Sequence, residues 1–176
     1  MIPKASGGER PLGIPTVRDR VVQAAVKLVL EPIFEPDFTG NAYGYRPQRS
    51  AQDAVREVHR SLKAGYVQVV DADLSKFFDT IPHADLLRSV SRRVSDGAIL
   101  HLIKLWLKAP IEERSDRGKS TRWRTGNRGT PQGGVLSPLL ANIYMRRFLK
   151  AWELRGNDQK FGCRIVNYAD DFVILC

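Results

Sequence analysis

The chain has 176 residues, 43% of them apolar and 27% charged, which suffices for one domain with a real core, or for a domain and part of a second. Its 28 Lys and Arg against 19 Asp and Glu leave a net charge of +9, so polyanions, nucleic acid first, are the expected partners. No apolar run is long enough to cross a bilayer, and no signal-peptide core follows Met1-Ile2-Pro3-Lys4. An intracellular, cytoplasmic protein with no membrane partner is expected. Cys163 and Cys176 lack metal-type spacing and cannot form a disulfide framework, so reduced, buried thiols are expected.

A polar, Gly-rich start precedes a broadly apolar helix over Asp19 to Glu31, expected to stop at Pro32. Ser50 followed by Asp53 reads as a capping box. The helix it opens would turn Ala54, Val55, Val58 and Leu62 inward and end at Gly65. Tyr66 to Val70 is a short β-rich run leading into Asp71-Ala72-Asp73. Helical spacing returns at Leu86, Leu87, Val90 and Val94, and again at Ile99, Leu102, Ile103, Trp106 and Leu107 before Pro110. The stretch 111–128 is polar and basic, a hairpin or long loop. Ser137-Pro138 opens a helix with Leu139, Leu140, Ile143, Tyr144 and Phe148 facing inward. Arg164 to Tyr168 and Phe172 to Cys176 read as strands flanking a tight turn at Ala169-Asp170. The mixture lacks the regular alternation of a doubly wound sheet. It fits an α+β arrangement, helices on one face of a small antiparallel sheet.

Two acidic sites fall at strand ends: Asp73, and Asp170-Asp171 in the turn between two apolar strands. Carboxylates held there by a packed sheet make a hard oxygen site for Mg²⁺, which two-metal phosphoryl transfer requires. The plain alternative is that these acids form turns and solvated ends. It is weaker for Asp170-Asp171, because adjacent like charges repel unless a cation joins them.

The residues Tyr168-Ala169-Asp170-Asp171 followed by Phe-Val-Ile-Leu resemble the catalytic hairpin of reverse transcriptases. The run from Asp73 through Leu74, Ser75, Lys76, Phe77, Phe78 and Asp79 to His83 resembles their first carboxylate motif. The segment from Gly129-Thr130-Pro131-Gln132-Gly133-Gly134 to Tyr144 is similar to the template- and nucleotide-contacting stretch between them. Arg10 to Pro15, and Tyr43-Gly44-Tyr45-Arg46-Pro47 with Ser50 and Asp53-Ala54, resemble two finger motifs. Five motifs in order span nearly the whole chain, and the wording of the Gly129 segment is similar to group II intron reverse transcriptases and maturases, with CRISPR-associated enzymes sharing much of it.

The resemblance implies the right-hand polymerase fold, with fingers over 1–65 and an incomplete palm over 66–176, and no thumb. It implies that Asp73, Asp170 and Asp171 are catalytic and, with the Leu74 carbonyl, hold two Mg²⁺ ions. Lys4 and Arg10 would hold the triphosphate, Phe78 would exclude a 2′-hydroxyl, and Gln132 would lie near the nucleotide. Arg46, Arg122, Arg124, Arg128, Gly133 and Gly134 would meet nucleic acid. The partners implied are an RNA template, a primer strand, a deoxynucleoside triphosphate and intron RNA, with splicing assistance as a second role; the oligomeric state is left open.

Plainer readings stand beside these. Of Phe77 and Phe78, one is expected in the core and one at the site. Lys4 and Arg10 flank Ser6-Gly7-Gly8, which would serve a hairpin tip equally well. The basic stretch holding Arg114, Arg117, Lys119, Arg122, Arg124 and Arg128 with Trp123 either tracks a phosphate backbone or is a solvated loop. His83 reads as a helix-start residue. The chain stops inside an apolar strand, so a truncated polymerase, marginally stable and inactive alone, is expected. The competing classes are a non-catalytic RNA-binding module of maturase type and a relic of a split reading frame.

Overall fold

The structure, a computed structural model, describes residues 2–3, 9–10, 13–114, 120–123, 126–131 and 133–176, with backbone alone for 2–3, 9–10, 113–114 and 120–123. The chain forms two compact units from interleaved segments. One comprises Met1–Val29 and Phe78–Ser137, the other Leu30–Phe77 and Pro138–Cys176. A boundary at residue 65 falls inside the second unit.

In the first unit, β1 (Ile2–Pro3) pairs antiparallel with β2 (Glu9–Arg10). Helix α1 (Val17–Phe34) begins here, its first turn satisfied by Thr16: the Asp19 N–H donates to Thr16 Oγ1 at 3.1 Å, and that hydroxyl donates to Asp19 Oδ2 at 2.6 Å. After the short helix α3 (Phe77–Thr80), α4 (His83–Ser91) and α5 (Gly97–Leu107) pack together. Leu86, Val90, Ile103 and Leu107 are buried, as their spacing requires. Asp96 caps α5, accepting from the Ile99 N–H at 2.9 Å. Within the basic stretch, β4 (Ile111–Arg114) pairs antiparallel with β5 (Ser120–Trp123). The following loop is tied back by three backbone bonds: His83 N–H to Asn127, Gly129 N–H to Ile81 and Thr130 N–H to Phe78. His83 is buried at the start of α4, and its Nε2 lies 2.7 Å from the Gly129 carbonyl, which can only accept, so Nε2 carries the proton.

In the second unit, the end of α1 runs through Pro32 to Phe34 rather than stopping before it. A proline in the last turn forfeits one hydrogen bond, and the continuation buries Leu30 and Phe34 completely. The capping box forms on α2 (Ala51–Lys63): Ser50 Oγ accepts from the Asp53 N–H and Asp53 Oδ2 accepts from the Ser50 N–H. The inward face of α2 is Ala54, Val58 and Ser61, whereas Val55 and Leu62 are exposed. Strand β3 (Val69–Asp73) starts and ends three residues later than its β-rich sequence suggests, because its extent is set by its partner. Helix α6 (Ser137–Leu154) buries Leu139, Leu140 and Ile143, with Phe148 partly exposed. A short helix α7 (Asn157–Phe161), between Gly156 and Gly162 at positive φ, leads into β6 (Arg164–Tyr168) and β7 (Asp171–Leu175).

The sheet is antiparallel, order β3-β7-β6. Ala54 of α2 packs with Val166 and Leu175 on one face, joined by Val58 and Val173. On the other face Phe172 meets Phe148 of α6, ring centroids 5.4 Å apart. This is the α+β arrangement the sequence suggests. Of the two thiols, Cys163 is buried and Cys176 is exposed.

Candidate active site

A two-residue turn joins β6 to β7. Tyr168 pairs with Asp171, leaving Ala169 and Asp170 at the tip. Ala169 alone of the two has a positive φ, 60°, the pattern of a type II′ hairpin turn. The central position of β7 sets the rest. Asp171 is also the register partner of Asp73, the last residue of β3. Side chains on directly paired positions share a face, as do residues two apart on a strand. Asp71, Asp73 and Asp171 therefore stand on one face of the sheet, beside the turn that carries Asp170.

The backbone closes the same corner, with the Leu74 N–H donating to the Asp170 carbonyl at 3.2 Å. The Leu74 carbonyl accepts from the Phe77 N–H at 3.0 Å, which leaves one lone pair for another partner. Burial pushes the Asp171 carboxyl above the usual carboxylate range, helped by the charges of Asp170, Asp73 and Asp71. The acids thus stand close enough to feel one another. Asp71, two residues before Asp73 on β3, adds a further charge to that face.

These donors are hard oxygens, the chemistry a divalent cation such as Mg²⁺ selects. Their mutual repulsion is what such an ion would relieve. Among the described residues, no three His, Cys, Asp or Glu side chains are drawn together as a finished ligand cluster. The donor set fits a cation in kind, and the register brings Asp73, Asp170 and Asp171 to one end of the sheet.

The other expected residues fall as follows. Phe77 is buried and packs on Tyr144, ring centroids 6.3 Å apart, while Phe78 is half-buried and lies in the first unit. One of the pair is therefore core. Gly133 has φ 106°, a conformation suited to glycine, and Gly134 is buried, where a Cβ would meet Ser137 Oγ at 2.6 Å. Arg128 is exposed. Lys4, Gln132 and Arg124 lie outside the described residues, as do the side chains of Arg10 and Arg122.

Arg46 requires a correction. Its side chain is only 5% exposed, and its guanidinium is spent inside the second unit. Nη2 reaches Glu35 Oε1 at 2.6 Å, Nε donates to the same carboxylate, and Nη1 donates to the carbonyls of Thr39 and Ala42 at 2.8 and 2.7 Å. Its plane lies over the Phe38 ring. A fork with four donors engaged this way binds the chain to itself, not to a phosphate.

Two buried asparagines and a buried glycine frame the turn. Asn167 donates from Nδ2 to the carbonyls of Ala169 and Asp171, at 2.9 and 3.0 Å. Asn142 donates from Nδ2 to the Gly44 carbonyl at 2.7 Å. A Cβ on Gly44 would collide with the backbone nitrogen of Ala169.

The family model described as "Reverse transcriptase (RNA-dependent DNA polymerase)" matches residues 2–176. Protein YkfC of Escherichia coli K12 is 44% identical over 151 residues, 84% of this chain and 38% of YkfC. The group II intron-encoded protein LtrA of Lactococcus lactis subsp. cremoris is 40% identical over 147 residues, 84% of this chain and 23% of LtrA. Among solved structures, a partial Cas6-RT-Cas1–Cas2 complex aligns with 94% of this chain and 27% of its own, at TM-score 0.51 and 30% identity. The chain thus spans roughly a quarter to two-fifths of the length of these relatives. With the paired strands, the turn and its acids in that order, the chain belongs to the reverse transcriptase (RNA-dependent DNA polymerase) family.

Proposed function

We propose that this chain supplies the fingers (1–65) and the acid-bearing part of the palm (66–176) of an RNA-directed DNA polymerase of group II intron type. The observation that carries this reading is the register: Asp73 of β3 is paired with Asp171 of β7, beside the turn holding Asp170. Asp73, Asp170 and Asp171, with the Leu74 carbonyl, would hold two Mg²⁺ ions. When bound, the ions lower the barrier to attack by the primer 3′-hydroxyl and neutralise charge on the leaving pyrophosphate. The protein's part is positioning: Lys4 and Arg10 on the triphosphate, Gln132 near the nucleotide, and Phe78 against the sugar, where a 2′-hydroxyl would clash. The exposed Arg128, with Arg122, Arg124, Gly133 and Gly134, would follow the template–primer duplex. Among the described residues no helix is long and apolar enough to cross a membrane. Work in the cytoplasm, where RNA and deoxynucleotides meet, belongs to the same reading, as does assistance to intron RNA.

The test is Mg²⁺-dependent primer extension on an RNA template. It compares the 176-residue chain, the product of its complete gene, and that product with Asp170→Ala and Asp171→Ala. Extension by the gene product that disappears in the double variant supports the polymerase. RNA binding without extension in every case would favour a non-catalytic RNA-binding module.

A further inference from the structure

We infer that Asn167 is a positioning residue that sets the direction of the Asp170 and Asp171 carboxylates through the backbone of their turn. The inference rests on the proposed use of those acids as a metal site.

A two-residue hairpin turn normally uses Asn-Gly or a leading glycine, because its first position needs a positive φ. Here that position is Ala169, at φ 60° and almost wholly buried. An alanine there is disfavoured by about 1 kcal/mol, so the conformation persists only if its surroundings over-determine it. Asn167 does so from below. Its two bonds end on the carbonyl just before Asp170 and the carbonyl of Asp171 itself, bracketing both acids. Two carbonyl acceptors can be served only by the NH₂ of the amide, so both of its hydrogens are committed.

Asn167 is itself fixed. It is 2% exposed, its N–H donates to the Asn41 carbonyl at 2.8 Å, and its carbonyl accepts from the Tyr43 N–H at 2.9 Å. The same passing segment then brings Gly44 against the Ala169 nitrogen, where only a glycine fits, and Asn142 holds Gly44 by its carbonyl. The turn is braced from two sides.

Aspartate at 167 has the same shape and no hydrogen to donate, so it would set an oxygen against two carbonyl oxygens. Serine keeps one donor. In the complete gene product, Asn167→Asp and Asn167→Ser are expected to weaken Mn²⁺ binding, read by electron paramagnetic resonance, by about 10- to 100-fold, the usual effect of losing a partner that orients a metal ligand. The single-turnover rate of nucleotide addition should fall by at least about tenfold, with primer–template affinity within about threefold of wild type. Gly44→Ala, pushing on the same nitrogen from the other side, should reproduce both changes. All measurements are made well below each variant's melting temperature. Folded variants with wild-type Mn²⁺ affinity and wild-type turnover would overturn the inference, and should the Asn167 variants not fold, Gly44→Ala decides it alone. If the wild type extends no primer yet its Mn²⁺ affinity falls in Asn167→Asp and Asp170→Ala alike, the positioning role stands and the polymerase reading falls.

Discussion

Arg46 sits in a stretch whose wording suggests nucleic acid, yet it is one of the most enclosed cations among the described residues. Its partner Glu35 is eleven positions away and 29% exposed, so the pair is largely shielded from water. Nothing local to Tyr45-Arg46-Pro47 announces that partner. Lysine at 46 keeps the charge but not the fork, and would leave carbonyls of Thr39 and Ala42 unserved. Arg46→Lys should lower unfolding stability by about 2–4 kcal/mol, measured by denaturant titration. It should leave the salt dependence of RNA binding unchanged, since a lost phosphate contact would flatten that slope by about one unit. A flattened slope with unchanged stability would return Arg46 to the nucleic-acid surface. The acids tell the opposite story. The places of Asp73, Asp170 and Asp171, at strand ends and in the turn, were legible from sequence because each adjoins a run with an evident apolar pattern.

Helix α2 shows where legibility ends at the scale of an element. Its capping box is local, and Ser50 with Asp53 announces it. Which side of the helix faces the sheet depends on a strand more than a hundred residues later, and the apolar Val55 and Leu62 misdirect the eye. The packed side is Ala54, chosen for smallness against Val166 and Leu175. Ala54→Phe should therefore cost about 1–3 kcal/mol by overpacking, while Val55→Ala should change stability by less than about 0.5 kcal/mol. The reverse ranking in thermal melts would mean the helix is turned the other way. The cap adds a pH signature. The Ser50 hydroxyl and backbone N–H, both donating to Asp53, hold its carboxyl below the usual carboxylate range. A depressed acid stabilises the fold above its unfolded pKa, about 3.9, and that stability is lost as pH falls through the folded value. The melting-temperature gap between wild type and Asp53→Asn should thus be widest at neutral pH and narrow toward pH 3. A gap that stays constant would remove the ionised cap from the account. The hairpin of β6 and β7 was legible because turn and strands are contiguous. The extent of β3 and the run of α1 through Pro32 were not, since the partner strand decides the first and the burial of Leu30 and Phe34 the second.

Taken whole, the chain passes from one unit to the other three times, so neither unit is a continuous stretch of sequence. The braces around the turn are the part of the site that sequence could not disclose, because Asn167 acquires its meaning from residues 41–44 and 142, which only the fold brings to it. The pairing of β3 with β7 joins the first acidic strand to the last strand described. On a ribosome that interval is long: at about 5–20 residues per second, β3 emerges on the order of five to twenty seconds before the strand it needs. Until then Val69 and Val70, still half-exposed in the finished fold, have neither sheet partner nor cover. The paired acids can consequently come together only once β7 has been made, and a translation product interrupted before it would retain Asp73 without the strand that sets Asp171 beside it.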